Sequence, residues 1–559
     1  MNGGEVLAQC LARAGVRDVY GVPAGKLSPF MRAIASDPAQ LGWTGTRHEA
    51  AAAWMAAASF RASGRIAVCC GEGGPGTHNL IAGLGSAYAN NVALVAIVSG
   101  PPSHLTYPFS GFTMETDGQT AFAAVTKWRA LARDPSRIAE LVRRALSEAL
   151  SGRPGPVAIE LPADVLAAEV EPPGAGEEFV RPSRPAPDAD AIEQAAQLLA
   201  RAERPLIIAG GGVVAADATS ELRAVVGRLG AAATATQMGL GVVSSDSPEF
   251  FGHGGLIGGE AVGRALREAD VVVAVGSRLS SWWWDATGPA VRAGGEQRLI
   301  QIDIDPAMIG RLVSADVPVV GDARTALQML AEALGEGAPP SPSAWVASLR
   351  ADYARYRDEL RSLSGAPGGL MHPAELAREV GDWLPRDGLA VYDGGHTTFW
   401  SNDLTPANEP RTRFHEPGMA HLGFGVPHAL ALAALFPGRT VVNLTGDGAF
   451  GFTLPELDTA RRYGLAAIHV IHNNAAWGVI ALGQSRHDFE LGTDLDGTDY
   501  AAIARAFGCH GERVERPEEV RPALERARDS GLPAVIDARV AFVAHPGMKY
   551  FASAGTRPR

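Results

Sequence analysis

A β-branched run, Thr440 to Thr445, ends in Gly446-Asp447-Gly448, and a second apolar run, Ala466 to His472, ends in Asn473-Asn474. Glycine lets a backbone turn sharply and approach a neighbour closely, so each run reads as a strand that stops at a turn. Between them Thr453 and Glu456 have capping-box spacing, with Pro455 tolerated in a first turn, and a helix is expected there. Strand, helix, strand is a parallel crossover. It would bring Asp447 and Asn474 to one carboxyl edge of a sheet, where open α/β folds take their ligands.

At 559 residues the chain is too long for one core, and three units are expected. A composition of 46% hydrophobic and 20% charged residues is that of a globular protein. No apolar run nears the roughly 20 residues of a membrane span, so no membrane association is expected. A net charge of −12 with no basic run argues against nucleic acid as a partner. Val6, Leu7, Cys10, Leu11 and Ala14 have helical spacing but lack the layout of a signal peptide, and the expected location is the cytoplasm. Cys10, Cys69, Cys70 and Cys509 show no paired spacing and predict neither a disulfide framework nor a zinc site.

Residues 1–170 alternate strand and helix patterns, the rhythm of a parallel sheet. Asp18 begins a short strand that runs into a glycine turn, and Thr46-Arg47-His48-Glu49 opens an alanine-rich helix. On local grounds Glu49 is an acidic residue favoured in a first turn. Ile66 to Cys70 is a strand leading into Gly71-Glu72-Gly73-Gly74-Pro75-Gly76-Thr77-His78, where Glu72 and His78 read locally as solvated loop residues. Leu94 to Ser99 is a further strand. Pro172, Pro173, Pro182, Pro185 and Pro187 mark a linker. A second unit, 190–335, has strands from Pro205, Val271 and Leu299 and a turn at Gly210-Gly211-Gly212. A linker at 335–343 and a helical stretch from Trp345 to Leu363 precede the third unit, 370–545.

Magnesium prefers six hard oxygens and keeps water and phosphate among them. Asp447 and the Asn474 amide oxygen supply two such ligands. The pairing of G-D-G with N-N resembles the signature of the thiamine-diphosphate enzymes, in the group of acetolactate synthases and 2-oxo acid decarboxylases. The resemblance extends to Arg47-His48-Glu49-Ala50-Ala51-Ala52, to Gly74-Pro75-Gly76 with Asn79, to Glu115, Asp117 and Val125-Thr126-Lys127-Trp128, and to Gly418 through Pro427.

It implies three α/β domains with parallel sheets: a pyrimidine-binding domain, a central Rossmann-like domain and a diphosphate-binding domain. It implies thiamine diphosphate held through Mg2+, with Asp447, Asn474 and the Ala476 carbonyl as protein ligands and Gly446, Gly448 and Ala449 beside them. Gly395, His396 and Thr397 fall where diphosphate contacts lie. Leu422 falls under the bend of the cofactor, and the Ala420 carbonyl accepts from its 4′-amino group. Glu49 takes the role of sharing a proton with N1′ of the aminopyrimidine, as a carboxyl shielded from water can. Glu72 and His78 fall near the substrate entrance, and Met114 stands where acetolactate synthases have a glutamine close to substrate. The central domain binds FAD in some relatives; here Arg278 is kept but the acidic pair after it is missing, so FAD is possible and not favoured. Trp282, Trp283 and Trp284 read as a surface patch or an interface.

The expected activity is decarboxylation of a 2-oxo acid with transfer of the acyl carbanion equivalent to a small-molecule acceptor. The alternative is simple decarboxylation to an aldehyde, as in benzoylformate decarboxylase. In aldehyde-releasing relatives a glutamate occupies the position of Ile480, and the 103–120 segment here has a single histidine, His104. Self-association as a homodimer or homotetramer is expected, because in this family Glu49 of one subunit completes the site built by the other's Asp447 and Asn474.

Overall fold

The strands that lead into the candidate site residues are buried on both faces, as strands covered by helices on each side must be. The computed structural model describes residues 1–106, 109–172, 174, 178–254, 259–285, 288–289, 291, 296–335 and 343–548. Pro173, the Trp284 side chain and most of the 335–343 linker fall outside them.

Among the described residues there are three six-stranded sheets, parallel throughout. The first has β1 (Asp18–Gly21), β2 (Gly42–Gly45), β3 (Val68–Gly71), β4 (Leu94–Gly100), β5 (Trp128–Leu131) and β6 (Pro156–Pro162). The second has β7 (Pro205–Ala209), β8 (Ala232–Ala235), β9 (Phe250–His253), β10 (Val271–Val275), β13 (Arg298–Asp303) and β14 (Val317–Val320), with β11 (Trp284–Asp285) and β12 (Gly288–Pro289) as a separate antiparallel ribbon. The third has β15 (Leu389–Asp393), β16 (Arg413–Phe414), β17 (Val441–Gly446), β18 (Ile468–Asn473), β19 (His510–Val514) and β20 (Ala534–Arg539).

The first sheet has the order β2-β1-β3-β4-β6-β5 and the third β16-β15-β17-β18-β20-β19, the same winding twice; the middle sheet runs β14-β13-β10-β7-β8-β9. The loop after β3 is therefore the counterpart of the loop after β17, and Glu72 the counterpart of Asp447.

The first and third sheets share one apolar core, whereas the middle sheet has its own. The helix Glu49–Ser63 lies at the centre of the shared core, against the helices Pro75–Ala89 and Gly425–Leu435. Its alanines Ala50 to Ala58 are buried all round, which accounts for its lack of a polar face. Small side chains let the helices close up: a Cβ at Gly83 would lie 2.5 Å from that of Ala53. Cys69, Cys70 and Cys509 are free and buried, and burial pushes their thiols up. Trp283 is buried in the central core and Trp282 is half-buried against it. No helix among the described residues is long and apolar enough to cross a membrane.

The capping box expected at Thr453 and Glu456 does not form. Two helices, Asp447–Thr453 and Glu456–Tyr463, replace the one foreseen, and no side chain caps the second. The Thr453 hydroxyl donates instead to the Gly423 carbonyl at 2.7 Å. The Glu456 carboxylate accepts the backbone amides of Arg47 (3.0 and 3.1 Å) and His48 (3.0 Å), just before the Glu49 helix. Two distant amides outcompete one local amide.

Candidate active site

Gly446 ends β17, and Asp447 is the first residue of the helix that follows. Asp447 Oδ1 accepts the Gly448 amide at 2.8 Å, and Oδ2 is buried without a partner among the described residues. Burial raises its carboxyl to about 6, against the pull of the Gly448, Ala475 and Ala476 amides. Those last two amides belong to the loop after β18, so Asp447 and the Asn474 turn do meet. Asn474 Oδ1 accepts the Ala476 amide at 3.2 Å, and Ala475 between them sits at φ +56°.

Glycines let the residues of this edge pack closely. A Cβ at Gly448 would lie 2.6 Å from the Trp477 ring, and one at Gly478 would lie 2.8 Å from His396 Nδ1 and 3.2 Å from Asn474 Nδ2. Thr397 Oγ1 faces Gly446 across the cradle, and Ala449 backs Gly394, which has φ +99°. His396 is the second residue of the helix Gly395–Leu404, is 5% exposed, and has no partner for either ring nitrogen among the described residues. Burial, with His545 nearby, holds it down to about 4, so the ring is neutral at pH 7.

The 418–425 segment hangs over this edge. Ala420 is exposed at φ +54°, and Leu422 is half-buried. Asp393 fixes the turn behind them, its Oδ2 accepting the amides of Gly423 (3.0 Å) and Gly425 (2.9 Å), while burial lifts its carboxyl to about 7. The Gly418 amide donates to Asn90 Oδ1 at 2.9 Å, which ties the segment to the first sheet's helices.

At the first sheet's carboxyl edge, Glu49 is the first residue of its helix and 7% exposed. Asn79 Nδ2 donates to its Oε2 at 2.9 Å, and a Cβ at Gly76 would lie 3.1 Å from Oε1. Glu72 pairs with Lys26, whose Nζ is 2.7 Å from Oε1. Met114, at φ +67° and 44% exposed, places its Sδ 3.4 Å from the same Nζ. His78 is exposed on the next helix and bonds the Gly74 carbonyl through Nδ1 at 2.8 Å. Glu49, Glu72 and Met114 thus share one edge, and Asp447, Asn474, Ala476, His396 and Thr397 share the other.

Lys26 escapes a reading of the sequence, and Glu456 is read there only as a cap. Lys26 sits in the turn after β1, a strand-end loop of the kind that carries the other residues, and that position is the one signal it offers. A separate cavity of about 640 Å3 opens at the carboxyl ends of the central sheet and is lined by Gly211, Gly212, Gly276, Arg278, Trp282 and Asp303.

Family models match three stretches: the thiamine pyrophosphate enzyme N-terminal TPP binding domain over 1–122, the central domain over 192–330 and the C-terminal TPP binding domain over 393–538. The chain is 31% identical to the acetolactate synthase isozyme 2 large subunit of Escherichia coli, over 95% of this chain and 94% of that one. It is 30% identical to the probable acetolactate synthase large subunit of Methanocaldococcus jannaschii, over 96% and 91%. It is 34% identical to the probable 2-ketoarginine decarboxylase AruI of Pseudomonas aeruginosa, over 95% and 92%. With both strand-end sites in place and all three domains matched, the chain belongs to the thiamine pyrophosphate enzymes.

Proposed function

We propose that this protein decarboxylates a 2-oxo acid and joins the remaining acyl unit to the carbonyl of a second small molecule, as an acetolactate synthase-like carboligase. The observation that carries the reading is the pair of strand-end sites, Glu49 on one sheet and Asp447 with Asn474 on another, in a chain alike to acetolactate synthases along nearly its whole length.

Asp447, the Asn474 amide oxygen and the Ala476 carbonyl would hold Mg2+, and Gly395, His396 and Thr397 would face the diphosphate. The residues fit such a group: Asp447 Oδ2 and both His396 ring nitrogens are buried with no hydrogen-bond partner among the described residues, at strand ends where glycines let Trp477 and His396 pack closely. Bound thiamine diphosphate supplies the carbon nucleophile and the electron sink for loss of carbon dioxide. Glu49 holds the proton exchanged with the aminopyrimidine ring nitrogen at Oε1, while Asn79 fixes Oε2. Leu422, braced by Asp393 behind it, would support the cofactor, and the Ala420 carbonyl would accept a hydrogen bond from its amino group. Apolar Met114 and Ile480, 44% and 56% exposed, exclude the water that would compete with an acceptor. FAD in the central cavity is possible and not favoured, because Arg278 is kept without an acidic pair after it. The active form is at least a dimer, cytoplasmic, with small molecules as its substrates.

A second reading, aldehyde release without ligation, draws support from the 34% identity to a protein named as a decarboxylase. NMR of the products from a panel of 2-oxo acids, with and without acceptors, separates the two. Ligated product should dominate at saturating acceptor; free aldehyde dominating there overturns the proposal in favour of the second reading.

A further inference from the structure

Lys26 and Glu72 form an ion pair on the wall of the first sheet's edge, with side chains only 19% and 16% exposed. Glu72 is the fixed member. Its oxygens accept Lys26 Nζ at 2.7 Å, the Lys26 amide at 3.3 Å and the Ser99 hydroxyl at 3.4 Å. Lys26 is the movable member: an ammonium has three donors on a long flexible stem. One donor goes to Glu72 and one lies against the Met114 thioether, a weak acceptor; no further acceptor meets it among the described residues. Glu72 leads into the Gly73–Gly76 turn whose far end backs Glu49, so the pair and Glu49 flank the same turn.

We propose that Lys26 is a specificity-determining residue that binds the carboxylate of an anionic acceptor, a second 2-oxo acid; this rests on the carboligase reading above. In that reaction the donor loses its carboxylate as carbon dioxide. A carbon–carbon bond forms between the donor's carbonyl carbon and the acceptor's, and the acceptor's carbonyl oxygen takes up a proton. The acceptor's own carboxylate survives and needs a cation beside the site throughout. The spare donor of Lys26 can take it in an anion–cation–anion array without breaking the pair. A cationic substrate on Glu72 would instead have to displace donors that already hold it.

The test pairs two acceptors that differ by that carboxylate, pyruvate and acetaldehyde, on the holoenzyme with whichever 2-oxo acid of the panel above it decarboxylates. Lys26→Met, with Lys26→Gln as a second variant in case the first fails to fold, should lower the ratio of charged to uncharged ligation product by about 10- to 100-fold, the scale of one charge-assisted hydrogen bond. Lys26→Arg should restore most of the ratio. An unchanged ratio in folded Lys26→Met or Lys26→Gln overturns the assignment and leaves the carboligase reading standing. Unaltered enzyme that ligates neither acceptor overturns that reading and the assignment with it.

Discussion

Asp447 is the one charged residue of the proposed metal shell, and burial lifts its carboxyl to about 6. A proton and a magnesium ion compete for the same oxygen. Above pH 6 the carboxylate is ionised and free to ligate, whereas below it each pH unit should weaken metal-dependent cofactor binding up to about tenfold. Calorimetry with Mg2+ and thiamine diphosphate at pH 5 and 7.5 checks this. Asp447→Ala should abolish both the binding and its pH step while leaving the fold intact; unchanged affinity would contradict the assignment. Glu49→Gln should keep the fold and the cofactor but lose about 100- to 10,000-fold in turnover, because an amide cannot exchange the proton. Normal exchange of the cofactor's C2 proton in that variant, followed by NMR, would remove Glu49 from the role.

At the scale of elements, the helix Glu456–Tyr463 fixes where Glu49 begins. Glu456 holds the Arg47 and His48 amides, the Tyr463 hydroxyl accepts the Gly45 amide at 2.7 Å, and Arg462 donates to the Gly45 carbonyl at 2.7 Å. Glu456→Ala leaves two amides unpaired and should cost about 2–4 kcal/mol in denaturant unfolding. Turnover should fall as well, since the start of the Glu49 helix loosens; a loss under about 0.5 kcal/mol would contradict this. Gly478→Ala should weaken cofactor binding and also lower stability, because its methyl would lie 2.8 Å from Nδ1 of the buried His396 ring and push it aside. The strand ends at Gly446 and Asn473 and the start of the Glu49 helix are legible in the sequence, because apolar runs and glycine turns are local signals. Glu456 was misread because its spacing to Thr453 mimics a cap, and its true partners lie some four hundred residues earlier. The left-handed backbone at Met114, Ala420 and Ala475 has no sequence signature, since none of them is glycine. Lys26 looks like any solvated turn lysine until β3 brings Glu72 beside it.

In the molecule as a whole, two sheets of one winding carry the two halves of the chemistry. Within one chain they share a core, yet Glu49 bonds at its own edge and Asp447 at the other. Large apolar side chains stand exposed in both halves, Phe109, Phe112 and Met114 in the first and Met419, Phe452, Ile480 and Leu491 in the other. Exposed apolar surface of this kind suits an interface, and we propose that pairing two chains about a two-fold axis sets each Glu49 edge against a partner's Asp447 edge. The most direct test is to co-express Glu49→Gln and Asp447→Ala chains under different tags and purify the mixed dimer. One of its two sites then has both functional halves, and the account predicts about half of wild-type activity where each parent is nearly inactive. Mixed dimers as inactive as their parents, with both chains folded, would contradict a site built from two sheet edges on two chains.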